Sequence, residues 1–157
     1  MEIRVDDLSG PEVHQLLTEH LDDMYATSPE ESVHALDLTE LKKPDITFWT
    51  TWENTQTQGE NQLLGCGALK ILDDKHGEIK SMRTTEAARN KGVASALLNH
   101  IIDVAKQNKL TRVSLETGTQ DFFAPARKLY TKNGFEECGP FADYKLDQYS
   151  VFMTKSL

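Results

Sequence analysis

Residues 78–98, EIKSMRTTEAARNKGVASALL, decide how the rest of the chain is read. Residues 78–84 alternate in polarity and follow the turn signal Asp73-Asp74-Lys75-His76-Gly77, so they predict a strand. From Val93 onward, apolar residues recur at 93, 97, 98, 101, 102 and 105, the spacing of one helical face. Between the two lies Arg89-Asn90-Lys91-Gly92-Val93-Ala94, with small residues where a backbone must come close to another group. The first amides of a helix have no intrahelical partner, and the helix dipole adds partial positive charge there. Such a turn suits a phosphate, and Arg89 and Lys91 add full positive charge beside it. Neither G-x-x-x-x-G-K-S/T nor G-x-G-x-x-G occurs in the stretch, which separates it from the P-loop and the dinucleotide fold.

The pattern R-x-x-G-x-A at Arg89, Gly92 and Ala94 resembles motif A of the GNAT superfamily of N-acetyltransferases, which follows a strand and opens a long helix. A second match is more specific: residues 126–135, ARKLYTKNGF, resemble that family's motif B, A-x-x-L-Y-x-K-x-G-F. The resemblance covers the chain in the order β-α-α-β-β-β-α-β-α-β-β and implies a single-domain mixed α/β fold, one mixed sheet with helices on both faces.

The remaining elements follow from local signals. Residues 2–6 form a first strand, and Pro11 opens a helix with Val13, Leu16, Leu17, Leu21 and Met24 on one face. Ser28-Pro29-Glu30-Glu31 reads as a capping box that starts a second helix carrying Val33, Leu36 and Leu41, which Pro44 ends. Residues 46–52, ITFWTTW, are a strand by propensity, and residues 55–61 a polar loop. Residues 62–72 and 110–117 are further strands. A helix over 122–132 ends at Asn133-Gly134, and strands near 135–138 and 148–155 close the chain. Phe48, Trp49 and Trp52 read as core residues. His14 and His20 stand about 240° apart on a helix, so they cannot share a metal, and no metal is expected.

Length and composition fit one cytoplasmic domain. The chain has 157 residues, 38% of them hydrophobic and 27% charged, and no apolar run of bilayer-spanning length. Cys66 and Cys138 stand apart without C-x-x-C spacing and read as reduced thiols. The net charge of −8 argues against nucleic acid. Residues 1–60 carry −11 and the rest +3, so the part holding the anion site is the basic one.

The resemblance implies acetyl-CoA as co-substrate and a primary amine, of a small molecule or a peptide, as acceptor. Backbone amides of Arg89, Asn90, Lys91, Gly92, Val93 and Ala94 would hold the pyrophosphate. The strand before motif A would present Met82 and Thr84, with Arg83 between them, to the pantetheine arm, and the Met82 amide to the thioester oxygen. Glu78 stands 11 residues before Arg89, where several family members place the base that takes the amine proton. Tyr130 aligns with the tyrosine that protonates the departing thiolate, and a phenol with a pKa near 10 is protonated at neutral pH. Where the family often has asparagine seven residues before that tyrosine, this chain has Phe123, which leaves Thr119 or Gln120 to remake the contact. Segments 28–36, 116–118 and 138–144 resemble a small bacterial N-acetyltransferase subgroup, and by that resemblance His34, Asp143 and Tyr144 are acceptor-pocket candidates. No cysteine stands beside a base in the strand, so transfer is expected to be direct, in a ternary complex. A non-catalytic acetyl-CoA sensor or partner-docking module is the alternative. Dimers are common in the family, so a homodimer is compatible with the resemblance.

Overall fold

A computed structural model describes residues 1–34, 37–54 and 61–157. The chain runs β1 (Glu2–Val5), α1 (Pro11–Thr27), α2 (Leu38–Leu41), β2 (Ile46–Asn54), β3 (Asn61–Ile71), β4 (His76–Thr84), α3 (Val93–Gln107), β5 (Arg112–Gly118), α4 (Ala124–Lys132), β6 (Glu136–Cys138) and β7 (Ser150–Ser156). This is the order the sequence predicts. The seven strands form one sheet in the order β1-β2-β3-β4-β5-β7-β6. Every neighbouring pair is antiparallel except β4 and β5.

Each helix lies on the sheet through the stripe its sequence specifies. The α3 residues Val93, Leu97, Leu98, Ile101, Ile102 and Ala105 are all buried, the same six positions as the predicted face. Leu97, Leu98 and Ile101 pack against Trp49, Ile79 and Leu115, and α4 adds Tyr130 to this layer. On the opposite face, α1 sets Val13, Leu16 and Leu17 against Phe48, Trp52 and Cys66. Strand alternation divides the aromatics of β2, Phe48 to one layer and Trp49 to the other. A fully buried leucine or isoleucine contributes about 2 kcal/mol, so these layers carry most of the favourable term. None of the described helices is long and apolar enough to cross a membrane.

The second helix differs from expectation. Ser28 makes no capping box; Glu30–Ser32 is a single 3₁₀ turn, and α2 is one turn capped by Asp37, whose Oδ1 accepts the Glu40 amide at 2.8 Å. The would-be capping hydroxyl is engaged elsewhere: Ser28 Oγ accepts from Gln120 Nε2 at 3.1 Å, and nearby Ser32 Oγ donates to Asp147 at 2.6 Å. Leu36 and residues 55–60 of the expected loop lie outside the described residues.

Two irregularities shape the centre of the sheet. β4 and β5 pair only over His76–Glu78 and Arg112–Ser114, after which β5 continues alongside β7 and a gap opens beside β4. In β4 the register steps against β3, so that Ser81 and Met82 both face Gly67, and Ser81 has φ +56°. Cys66 Sγ donates to the Ser81 carbonyl at 3.3 Å across this bulge. The extra residue inverts the alternation. Ile79 faces α3; beyond the bulge Met82 does so, and Arg83 turns to α1 instead.

Candidate active site

The gap between β4 and β5 is one wall of a cleft of about 710 Å³, bounded by the start of α3, by α4 and by the end of α1. Thr85 N donates to Leu64 O at 2.8 Å, so strand alternation leaves the Met82 and Thr84 amides on the edge of β4 turned away from β3. That edge, unpaired by β5, borders the cleft.

The turn into α3 is built for a close approach. Asn90 and Gly92 both take left-handed backbone, φ +64° and +79°, and α3 begins at the next residue. A Cβ placed on Gly92 would meet nothing within 4 Å, so the glycine is required by its φ and the space in front of it is open. Arg89, Asn90, Gly92, Val93 and Ala94 line the cleft, and Lys91 is exposed at its margin. The unpaired amides of a 15-residue helix, a left-handed glycine and open space fit a pyrophosphate.

Two carboxylates and one phenol, Tyr130, also line the cleft, and a second phenol, Tyr144, bonds to one of the carboxylates. Glu78 is buried at 3% exposure; its Oε2 accepts from Lys80 Nζ at 3.1 Å and from the Tyr144 hydroxyl at 2.5 Å. Lys80 also donates to the Tyr144 hydroxyl at 2.8 Å, which closes a three-membered cluster. His34 packs edge-on against Tyr144 at 5.0 Å. Glu116, from β5, lines the cleft and accepts one hydrogen bond, from Ser150 Oγ at 3.0 Å. Burial pushes its carboxyl up to about 7, with Glu78 adding to the rise and Ser150 and Lys80 opposing it. Tyr130, at 6% exposure, lines the same cleft, and its pKa is raised above the ordinary phenol value by burial and then by Glu116. Among the described residues its hydroxyl has no hydrogen-bond partner, so the proton it carries is uncommitted.

Not every expected residue comes to this place. Thr119 is exposed, its hydroxyl donating to Gln148 O at 3.0 Å. Gln120 Nε2 donates to Thr27 O at 2.7 Å and so ties the turn after β5 to the end of α1. Neither lines the cleft; both are occupied by the protein itself. Phe123 stands there instead, its ring so close over Gly118 that no Cβ would fit between them. Arg83 borders the cleft, but its side chain pairs with Asp23 of α1 at 2.8 Å rather than pointing to α3. Asp143 is exposed and, with Tyr144, lines a second cavity of about 860 Å³ that meets the first at His34, Glu78 and Lys80. Among the described residues no cluster of His, Cys, Asp or Glu has the arrangement of a metal site.

Sequence reasoning missed Glu116 as a cleft carboxylate. In residues 110–117 it falls on the opposite phase from Val113 and Leu115, which marks it as off the core layer. Only the fold, by setting it across the gap from β4, brings it into the cleft.

The cleft agrees with comparisons to known proteins. The chain is 54% identical over its whole length, and over the whole of the relative, to the "Uncharacterized N-acetyltransferase YsnE" of Bacillus subtilis (strain 168). It is 52% identical to the "Uncharacterized N-acetyltransferase YedL" of Escherichia coli (strain K12), over 99% of this chain and 94% of that one. A solved Bacillus subtilis acetyltransferase in complex with CoA superimposes with a TM-score of 0.70 at 18% identity, over 99% of this chain and 98% of that one. The model of the acetyltransferase (GNAT) family matches residues 13–135. With a sheet that splits beside β4, an open left-handed turn at the head of α3 and relatives of this kind, the chain belongs to the acetyltransferase (GNAT) family and is an acyltransferase.

Proposed function

We propose that this protein transfers an acetyl group from acetyl-CoA to a primary amine, directly and within a ternary complex. One observation carries the reading: a single cleft joins the anion-binding turn, the unpaired edge of β4, Glu116 and the uncommitted hydroxyl of Tyr130. When bound, acetyl-CoA supplies an activated acetyl group as a thioester. The amides from Arg89 to Ala94 hold its pyrophosphate, and the Met82 and Thr84 amides its pantetheine arm, as a strand added to the edge of β4. The Met82 amide is the donor aimed at the carbonyl oxygen, where negative charge develops.

The base is Glu116. An acceptor amine is mostly protonated at neutral pH, and a carboxyl that titrates near 7 takes its proton at Oε without being too weak a base to do so. Glu78 stands close enough to raise Glu116, but its Oε2 already holds Lys80 and Tyr144, so it positions that wall of the acceptor pocket. Tyr130 Oη holds the proton that the leaving sulfur requires, and burial keeps that proton in place at working pH. Both cysteines are free thiols, and burial pushes the Cys66 thiol up to about 12, too high for a thiolate nucleophile. This favours direct transfer.

The test is thiol release from acetyl-CoA against a panel of primary amines, beside a thermal-shift titration with acetyl-CoA alone. A shift together with release on one class of amine is the expected result. Absence of any shift at saturating acetyl-CoA refutes the reading.

A further inference from the structure

Arg83 is a buried cation with too few partners. Its side chain is 11% exposed and pairs through Nη2 with Asp23 Oδ2 at 2.8 Å. Its Nε is buried with no hydrogen-bond partner. A guanidinium presents five N–H groups in a planar fork, and one carboxylate oxygen on one nitrogen leaves most of that fork unused. Leaving a buried charged donor unpaired is costly, and native structures rarely keep one without a purpose.

Among the described residues Arg83 Nε has no acceptor, and the pKa of His20, its neighbour on α1, is pushed down to about 4 by burial and then by Arg83 itself. Asp23 is the only salt-bridge partner of Arg83 among the described residues, and its side chain is 38% exposed. The bulge at Ser81 explains the placement. Without the extra residue Arg83 would face α3; with it, Arg83 faces α1, the same side of the sheet as Glu78 and Lys80. Arg83 also directly follows Met82 and lines the same cleft.

We infer that the acceptor is an amino-carboxylate, its amine delivered to Glu116 and its carboxylate docked on the Nη1–Nη2 end of the Arg83 guanidinium, the side chain of a residue that lines the cleft. The inference rests on the proposed acetyltransfer and names its substrate class. A planar carboxylate meets a planar fork through two parallel hydrogen bonds, which fixes the acceptor's orientation as well as its affinity. Lys80 does not compete for this role, because Glu78 and Tyr144 already hold its ammonium.

The experiment compares matched acceptors on the intact protein. Thiol release is measured with the twenty common amino acids. For each one that reacts, it is measured again with the methyl ester and the decarboxylated amine, which keep the amine and lose the negative charge. The expected result is that kcat/KM falls on the order of 10- to 100-fold with either neutral analogue, mostly through KM. Arg83→Gln abolishes the preference for the free acid while the acetyl-CoA thermal shift persists. If Arg83→Gln does not fold, Arg83→Lys together with the analogue series decides, because the lysine keeps the charge and loses the fork. Equal or faster turnover of esters and amines overturns the inference, as does an acetyl-CoA shift with release on no amino acid; either leaves acetyl-CoA binding standing. No acetyl-CoA shift at all overturns the proposed function, and this inference with it.

Discussion

Replacing Glu116 by glutamine separates its chemical role from its structural cost. The carboxyl titrates near 7 instead of the ordinary 4.5 because folding withdraws it from water. The sign follows from proton linkage: between those two values the folded protein holds a proton that the unfolded chain has released, so stability falls as pH rises through the interval. Above pH 8 the folded state carries a partly desolvated charge, worth at most about 3 kcal/mol for that displacement. Glutamine keeps an oxygen for the Ser150 hydroxyl and removes the charge. Glu116→Gln should therefore raise Tm at pH 8.5 by roughly 5–10 °C for a domain of this length. At pH 5 the gain should shrink to under about 1 kcal/mol, since the wild-type carboxyl is then neutral in the folded protein. The same variant should lose the rise of log kcat/KM around pH 7 and fall in turnover by about 10²–10⁴-fold, the range for loss of a general base. Differential scanning calorimetry at the two pH values and a pH–rate profile provide the readings. A Tm change independent of pH, or a rate profile like the wild type's, refutes the assignment of Glu116 as a base poised by burial.

Tyr130→Phe should lower kcat by about 10²-fold or more while acetyl-CoA affinity and Tm stay close to wild type, because the hydroxyl contributes no hydrogen bond to the described structure; unchanged kcat in steady-state kinetics removes Tyr130 from proton transfer. Gly92→Ala should cost about 1 kcal/mol by urea denaturation, for the left-handed φ of +79° and not for a clash, and should weaken acetyl-CoA binding by calorimetric titration. Retention of both stability and affinity contradicts the phosphate-turn reading. Tyr144→Phe removes the hydroxyl that Glu78 and Lys80 share, and should cost about 1–3 kcal/mol and raise the acceptor KM without changing acetyl-CoA affinity. A stability like the wild type's contradicts a structural role for the cluster.

What the sequence could disclose was whatever its own local periodicity encodes. The α3 stripe, the glycine at the head of that helix and the alternation of Phe48 and Trp49 each depend on neighbours within a turn or a strand, and each is where the residue pattern puts it. The second helix failed for the complementary reason. Ser28 has the local chemistry of a cap, but Gln120, 92 residues away, takes its hydroxyl, as Asp147, 115 residues away, takes that of Ser32. Local capping is worth about 1 kcal/mol, and a tertiary hydrogen bond to a hydroxyl is of the same size, so the chain's longer-range partners decide. The site divides along the same line. Tyr130 and the turn before α3 belong to contiguous motifs, and both line the cleft. Glu116 is not legible in that way, because its displaced titration comes from burial and from Glu78, a residue on another strand. Arg83 is the sharpest case. A strict period of two assigns its side chain to the cofactor side, and one bulged residue at Ser81 sends it to the other face, against Asp23. A single residue of register therefore turns Arg83 from the α3 side of the sheet to the α1 side, and the bulge that does so is held by a contact between Cys66 and Ser81, 15 positions apart in sequence.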